Sequence, residues 1–259
     1  MEEVVLKKKS IGDSGQEEVR LALDLLSNCK RFVLEDCGLS SDVLVKLRED
    51  YRDRTKVVWR VYFGNGTSLT DAEVVRSVYD LKDSNCSELQ YLEDVKYADF
   101  GHDEYLNDSS FLSGMKSLEV LIISGSPIKD LSPLSQCKNL RILEIANCGY
   151  ITDLSPLEDC ESLEMLNISH TKATEGLSAL EERNMTHLTA VGGIWNKISQ
   201  EDRDAFQEDH PDCWIVTSGN EYGVGWRYED KETKMEWYEK ASEAFKYPHA
   251  PNNVGWYLE

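Results

Sequence analysis

Two stretches of thirteen residues, IKDLSPLSQCKNL and ITDLSPLEDCESL, are nearly identical and constrain the fold more than any other feature of the chain. They begin at Ile128 and Ile151, 23 positions apart. Self-similarity at a period of 20 to 50 residues is typical of proteins that stack one small unit repeatedly. A single unit cannot bury its apolar face, whereas stacked units bury a continuous core. The repetition therefore predicts a repeat solenoid.

Apolar residues recur at fixed offsets in three consecutive units. The opening positions are Leu118, Leu121 and Ile123; Leu140, Leu143 and Ile145; and Leu163, Leu166 and Ile168. The L-x-L alternation places both side chains on one face of a short strand. In the DLSPL segment that follows, Pro133 and Pro156 oppose an α-helix, so we expect an irregular or 3-10 return there.

The full spacing, L-x-x-L-x-L-x-x-S-x-I-x-x-L-x-x-L, resembles the leucine-rich repeat family, which carries L-x-x-L-x-L-x-x-N/C-x-L. The resemblance implies a leucine-rich repeat solenoid, an α/β repeat fold with a curved parallel β-sheet, an irregular or 3-10 convex side, helical N-terminal units and a capped C-terminus. In the family the turn position holds Asn or Cys, and here we assign it to Asp103, Ser126, Cys148, Thr171 and Asn196.

Weaker units flank the clear ones. Before them, the frame fits Val95, Ala98, Phe100 and Tyr105, and after them it fits Leu188, Val191, Gly193 and Ile198. The phrases VVWRVYFGN and GVGWRYED…MEWY also resemble secreted or surface leucine-rich repeat proteins of Gram-positive gut bacteria.

The chain divides into three predicted regions. Residues 1–90 form an N-terminal cap with helix-bearing units, residues 91–217 form the repeats with a closing unit, and residues 218–259 form an aromatic-rich tail. Helices are expected over residues 16–28, from Ser40 or Ser41, from Ser199 to Glu208 and from Glu232 to Phe245, with a last strand over residues 213–217. Serine is favoured as an N-cap because its hydroxyl accepts a bond from a free backbone N–H.

Charge and cysteine content narrow the classes of function. The formal net charge of -20 argues against a nucleic-acid partner and fits a basic protein partner or simple solubility. The seven cysteines are an odd number without a C-x-x-C pair, so we expect small buried residues and predict no metal or cofactor. No apolar run is long enough to span a membrane.

The resemblance implies that residues alternating with the core leucines face the concave side and specify binding. The predicted binding residues are Tyr97, Asp99, His102, Val120, Ile122, Ile142, Glu144, Asn147, Met165, Asn167, His170 and Trp195. Read across the strands, one column becomes an apolar stripe of Tyr97, Val120, Ile142, Met165 and Ala190. An exposed apolar stripe usually marks an interaction site. Its alternative is that the tail or the N-terminal segment packs there.

Two further alternatives stay open at this point. The aromatic tail, which includes Trp226, Trp237, Trp256 and Tyr257, is either a ligand platform or a segment that covers the last repeat. An acid/base or metal site built from Asp99, Glu144, His102 and His170 is disfavoured, because the two histidines lie three strands apart, roughly 14 Å.

The predicted function is therefore non-catalytic binding of a protein or peptide on the concave face, in bacterial surface recognition or adhesion. The alternative is an intracellular acidic inhibitor or immunity-type protein that neutralises a basic partner. The two functions imply different compartments. The resemblance implies an extracellular or cell-surface protein, whereas a native N-terminus would imply a cytoplasmic one. The sequence does not specify an oligomeric state.

Overall fold

The structure, a computed structural model, describes residues 2–247 and divides into two compact units. The first contains residues up to 62 together with 67–71, and the second contains residues 63–66 and those from 72 onward. The predicted boundary near residue 90 lies inside the second unit, whose first strand starts at Val74. The tail residues Trp256 and Tyr257 lie outside the described residues.

The first unit is built on a sheet of four strands in the order β1-β2-β3-β4. Its elements are β1 (Glu3–Lys7), α1 (Gln16–Leu25), β2 (Arg31–Glu35), α2 (Ser41–Tyr51), β3 (Lys56–Phe63) and β4 (Gly66–Leu69). The first three strands are parallel, which requires the crossover that each helix supplies. The predicted N-cap Ser40 precedes α2, and α1 begins at Gln16 as expected but ends at Leu25.

The second unit carries a parallel sheet of seven short strands whose spatial order follows the chain. They are β5 (Val74–Arg76), β6 (Tyr97–Asp99), β7 (Val120–Ile122), β8 (Ile142–Glu144), β9 (Met165–Asn167), β10 (His187–Thr189) and β11 (Trp214–Val216). Each strand spans three residues, because the turn position follows soon after the paired leucines. Stacking units in sequence order is the expected result of a repeat.

An outer layer of 3-10 helices returns the chain from one strand to the next. Four of them follow the repeat period: Ser87–Tyr91, Ser110–Gly114, Ser132–Gln136 and Ser155–Asp159. Two others, Leu177–Leu180 and Trp195–Lys197, follow in the later units. Proline opens two of these helices, as the DLSPL segments predict. The α-helices of this unit are α3 (Gln200–Asp209), with Ser199 as its N-cap, and α4 (Glu236–Ala244).

The core of the repeats lies between the sheet and the 3-10 layer. The leucines and isoleucines of the predicted frame are buried in all three clear units. Cys137 and Cys160 lie at equivalent positions, each thiol 3.4 Å from a backbone oxygen of the preceding unit. Burial raises the pKa of Cys137 to about 12, so the thiol stays protonated and packs as a small apolar group.

The register of the fifth unit differs from the predicted one by three residues. Leu188 pairs with Leu166 of β9, whereas the predicted frame aligns Leu188 with Leu163. Met185, Leu188 and Ala190 therefore occupy the core positions of this unit, and all three are buried. Hydrophobic spacing favoured the wrong frame because Met and Ala stand where earlier units have Leu and Ile.

Candidate functional site

Ten residues on strands β6 to β10 form one face of the sheet, opposite the core leucines. We call it the strand face: Tyr97 and Asp99, Val120 and Ile122, Ile142 and Glu144, Met165 and Asn167, His187 and Thr189. The first member of each pair lies in one row across the strands, and the second member lies in a parallel row. This arrangement contains eight of the twelve predicted binding residues and four of the five residues of the apolar row expected from the sequence.

The observed register of β10 changes the residue at the fifth position of the apolar row. His187, and not Ala190, lies beside Met165. Ala190 is buried in the core, and Trp195 belongs to the 3-10 helix Trp195–Lys197. The Trp195 ring meets Phe206 edge-on, with ring centroids 6.3 Å apart, so this side chain packs against α3.

The apolar stripe is not exposed, which corrects the expectation of an open surface and agrees with the stated alternative that the tail packs there. Val120, Ile142 and Met165 keep only 4%, 3% and 6% of their accessible surface. Residues 220–247, which we call the covering segment, pack on them through Tyr222, Trp226, Met235, Trp237, Ala241 and Phe245. The physical reason is that both surfaces are apolar, and joining them removes both from water.

Glu144 bonds to two residues of the covering segment, Trp226 and Arg227. Its carboxylate, which is fully buried, accepts hydrogen bonds from Trp226 Nε1 at 2.5 Å and from Arg227 Nη2 at 2.7 Å and Nε at 3.1 Å. Ser124 Oγ donates to it from the other side at 3.1 Å. A buried carboxylate needs such partners to offset the loss of water. Glu144 thus forms an internal ion pair with Arg227.

Further polar residues of the strand face and its rim bond to the same segment. Tyr247 Oη donates to Asp99 at 2.5 Å, and burial, followed by the charge of Asp99, raises the pKa of this tyrosine. Asn167 Nδ2 donates to the backbone oxygen of Glu221 at 2.8 Å. Asn147 Nδ2 donates to the Tyr222 hydroxyl at 2.9 Å. Four of the predicted polar binding residues therefore contact the covering segment of the same chain.

Left-handed backbone shapes the rim where the strands end. His102, Asn147 and His170 all have positive φ, between 57° and 64°. They occupy the position two residues after the last core residue of each strand, so the repeated turn imposes this conformation. The three side chains are exposed, and His170 Nε2 lies 3.8 Å from the Glu221 carboxylate. Among residues 2–247, no group of histidine, cysteine and carboxylate side chains is arranged to hold a metal ion.

A groove of about 540 Å³ remains open between the strand starts and the covering segment. Its lining combines strand residues with residues of the covering segment: Tyr97, Glu119, Val120, Arg141, Ile142, Glu164, Met165, His187, Trp214, Glu229, Met235, Glu236, Trp237 and Lys240. Its volume lies within the range of ligand pockets, roughly 300–1,000 Å³. Through this groove, part of the strand side of the sheet remains accessible.

The sequence analysis gave packing of the tail on the stripe as an alternative, but it did not identify the residues that make the polar contacts. Tyr222, Trp226 and Arg227 were grouped with the aromatic tail, without a partner on the strands. One signal was available: Glu144 is a charged residue at a position flanked by apolar neighbours, and a buried carboxylate requires a cation. The tail offers Arg227 among aromatic residues, but a separation of 83 residues hides the pairing from local patterns.

The repeat pattern is also found by comparison with known families. A profile described as leucine-rich repeats in two copies matches residues 116–159, the segment that forms β7, β8 and their 3-10 helices. These residues are leucine-rich repeats. The fold class predicted from the sequence, a leucine-rich repeat solenoid with a parallel sheet and a 3-10 outer layer, is confirmed. In the part of the chain that the structure describes, no helix is long and apolar enough to cross a membrane.

Solved structures of bacterial repeat proteins resemble the chain at low identity. An internalin (inlF) of Listeria monocytogenes is 17% identical, with a TM-score of 0.43 and coverage of 77% of this chain and 70% of that one. Internalin C2 of the same species is 20% identical, with a TM-score of 0.45 and coverage of 83% and 79%. A leucine-rich repeat protein of Leptospira interrogans is 15% identical, with a TM-score of 0.38 and coverage of 83% and 54%. No curated protein matches the chain.

Proposed function

We propose that the protein is a non-catalytic module that binds a protein or peptide on the concave face of its leucine-rich repeats. Repeat solenoids commonly use such extended faces for binding, because residues between the core leucines are free to vary. The observation that carries the proposal is the open groove beside the covering segment. It combines an apolar floor of Val120, Ile142 and Met165 with a charged and aromatic wall.

The covering segment restricts where a partner makes contact. Ile142 and Met165 are buried beneath it, so a partner reaches them only from the side that faces the groove. Binding therefore depends on groove residues that are themselves exposed, such as Trp214, which keeps 41% of its accessible surface. Exposed aromatic side chains are frequent hot spots in protein interfaces.

The proposed biological setting is bacterial surface recognition or adhesion, in line with the resemblance of the repeats and end phrases. A second setting is an intracellular acidic inhibitor of a basic partner, and the net charge of -20 favours it. The two settings differ in their electrostatics. Inhibition of a basic partner relies on long-range attraction, so its association rate falls steeply between low and high salt.

Selection from a displayed library of random twelve-residue peptides tests the binding function. The selected peptides are measured against three proteins: the unaltered chain, Trp214→Ala in the groove, and Tyr150→Ala, an exposed aromatic residue outside the groove lining. We expect Trp214→Ala to weaken binding about tenfold and Tyr150→Ala to leave it unchanged. Equal binding by all three proteins, or no selected peptide, would contradict the proposed site.

A further inference from the structure

The wall of the groove contains aromatic rings close to carboxylates. Tyr97 and Trp214 stand on strands at opposite ends of the lining, and Trp237 enters from the covering segment. His187 packs beside Trp214, with ring centroids 5.6 Å apart, and burial lowers the pKa of this imidazole. It is therefore neutral at pH 7 and adds no positive charge. Aromatic faces attract cations through their quadrupole.

Carboxylates outnumber cations in the lining. Glu119, Glu164, Glu229 and Glu236 are present, against Arg141 and Lys240. Both cations already have partners inside the groove. Arg141 makes two bonds to Glu164, at 2.7 and 3.1 Å, and Lys240 Nζ lies 2.5 Å from Glu236.

Two carboxylates, Glu119 and Glu229, are left in excess of the cations. Glu229 is exposed on the covering segment, and Glu119 is half-buried at the start of β7. The next cation along the strand starts, Lys96, is bonded at 2.9 Å to Glu73, a carboxylate outside the groove. Because Lys96 is paired with Glu73, it does not cancel the surplus of negative charge in the groove.

We propose that this groove binds a lysine or arginine side chain of a partner peptide, with an adjacent apolar side chain seated on its floor. The inference rests on the proposed function and specifies the chemistry of its partner. The cationic head lies against the aromatic wall and the surplus carboxylates. The apolar neighbour covers Val120, Ile142 and Met165, which form the floor. An acidic peptide is repelled by the same charges, and the net charge of the whole chain steers a basic segment toward it.

Dye-labelled hexapeptides of the form Gly-Leu-X-Leu-Gly-Gly, with X as Lys, Arg, Gln or Glu, test this inference by fluorescence anisotropy. The unaltered chain is compared with Glu119→Gln, Glu229→Gln and with Glu232→Gln, Glu239→Gln. The second pair removes the same total charge from exposed residues outside the groove lining. Thermal melting by circular dichroism checks that both variants are folded.

We expect the lysine and arginine peptides to bind about tenfold more tightly than the glutamate peptide at low salt. The groove variant reduces this preference to less than about threefold, and the control variant retains it. Three results overturn the inference: equal binding of all four peptides, binding of none, or equal loss in both variants. The last result would mean that only long-range charge acts. Peptides selected from the random library that need Trp214 but carry no lysine or arginine would overturn this inference while leaving the proposed function intact.

Discussion

At the scale of single residues, Asp103 stands out because it occupies a turn position that the family gives to Asn or Cys. The side chain is buried, with 1% of its surface accessible. Its Oδ1 accepts a hydrogen bond from the Leu81 N–H at 2.9 Å, while Oδ2 has no hydrogen-bond partner among the described residues. Burial raises the pKa of this carboxyl from 3.8 to about 7. As the pH rises, Asp103 therefore keeps its proton to a higher pH in the folded state than in the unfolded state.

The linkage predicts how the free energy of unfolding depends on pH. Between about pH 4 and pH 7 the folded state binds more protons at Asp103 than the unfolded state, so stability falls as pH rises. We expect Asp103→Asn to remove this decline and to stabilise the protein by about 2 kcal/mol at pH 8. Urea unfolding at pH 4.5, 6 and 8 measures the free energy of unfolding of both proteins. Glu104→Gln, at the next and exposed residue, serves as the control and should keep the decline; an unchanged pH dependence in Asp103→Asn would contradict the assignment.

Gly192 shows how a rim residue depends on its neighbour in the preceding repeat. Its φ is +81°, and a Cβ there would lie 2.3 Å from His170 Nδ1. Gly193 has φ +76° but nothing within 4 Å of the same position, so it is a matched control for backbone strain alone. We expect Gly192→Ala to cost about 1 kcal/mol more than Gly193→Ala in thermal unfolding. In a His170→Ala background the two substitutions should cost the same, and a persisting difference would exclude the ring as its cause.

At the scale of elements, the outer layer depends on one close approach between consecutive 3-10 helices. Gly114 ends the helix Ser110–Gly114, and a Cβ there would lie 1.8 Å from the backbone oxygen of Gln90. Backbone atoms cannot move aside as a side chain can. We expect Gly114→Ala to lower the free energy of unfolding by about 3 kcal/mol. Gln136→Ala, at the last position of the next 3-10 helix, should change it by less than about 0.5 kcal/mol. Similar effects of the two substitutions would contradict the close approach.

The elements that the sequence predicted best are those specified by local chemistry. The paired leucines predict the three-residue strands, and the prolines of DLSPL predict the 3-10 helices. The Ser199 hydroxyl accepts from the Asp202 N–H at 3.0 Å, as expected of an N-cap. The predicted register of the fifth unit was wrong because Met185 and Ala190 stand where the earlier units have Leu and Ile. Leu188 and Val191 have the same spacing as Leu163 and Leu166, which favours the wrong register. Only the pairing of β10 with β9 distinguishes the two registers.

At the scale of the whole second unit, the decisive contacts join residues that are far apart in sequence. Trp226 reaches Glu144 across 82 positions, and Tyr247 reaches Asp99 across 148. Periodicity identified both surfaces separately, an apolar stripe and an aromatic tail. It left their pairing as one alternative among others, because neither hydrophobic burial nor an aromatic ring carries information about its partner's position. Four of the five residues of the stripe were predicted correctly, whereas its fifth position and its exposure were not.

Removal of the covering segment tests its role in the unit as a whole. A chain ending at Gly219 loses residues 220–259, which include the covering segment, and uncovers the stripe of Val120, Ile142 and Met165. We expect stronger binding of the dye ANS, concentration-dependent self-association in analytical ultracentrifugation and a lower Tm, because a continuous apolar surface then meets water. A chain ending at Tyr247 keeps every described contact of the segment and serves as the length control.

Met165→Asp sharpens this test, because its effect depends on which chain carries it. In the full chain the new carboxylate is buried beneath the covering segment, which costs at least about 2 kcal/mol and lowers the Tm. In the chain ending at Gly219 the same carboxylate meets water, so we expect a change of less than about 0.5 kcal/mol and weaker self-association. The difference between the two backgrounds measures how firmly residues 220–247 occupy the strand face. Equal costs in both chains would mean that Met165 is buried by something other than this segment, and the groove would lose its second wall.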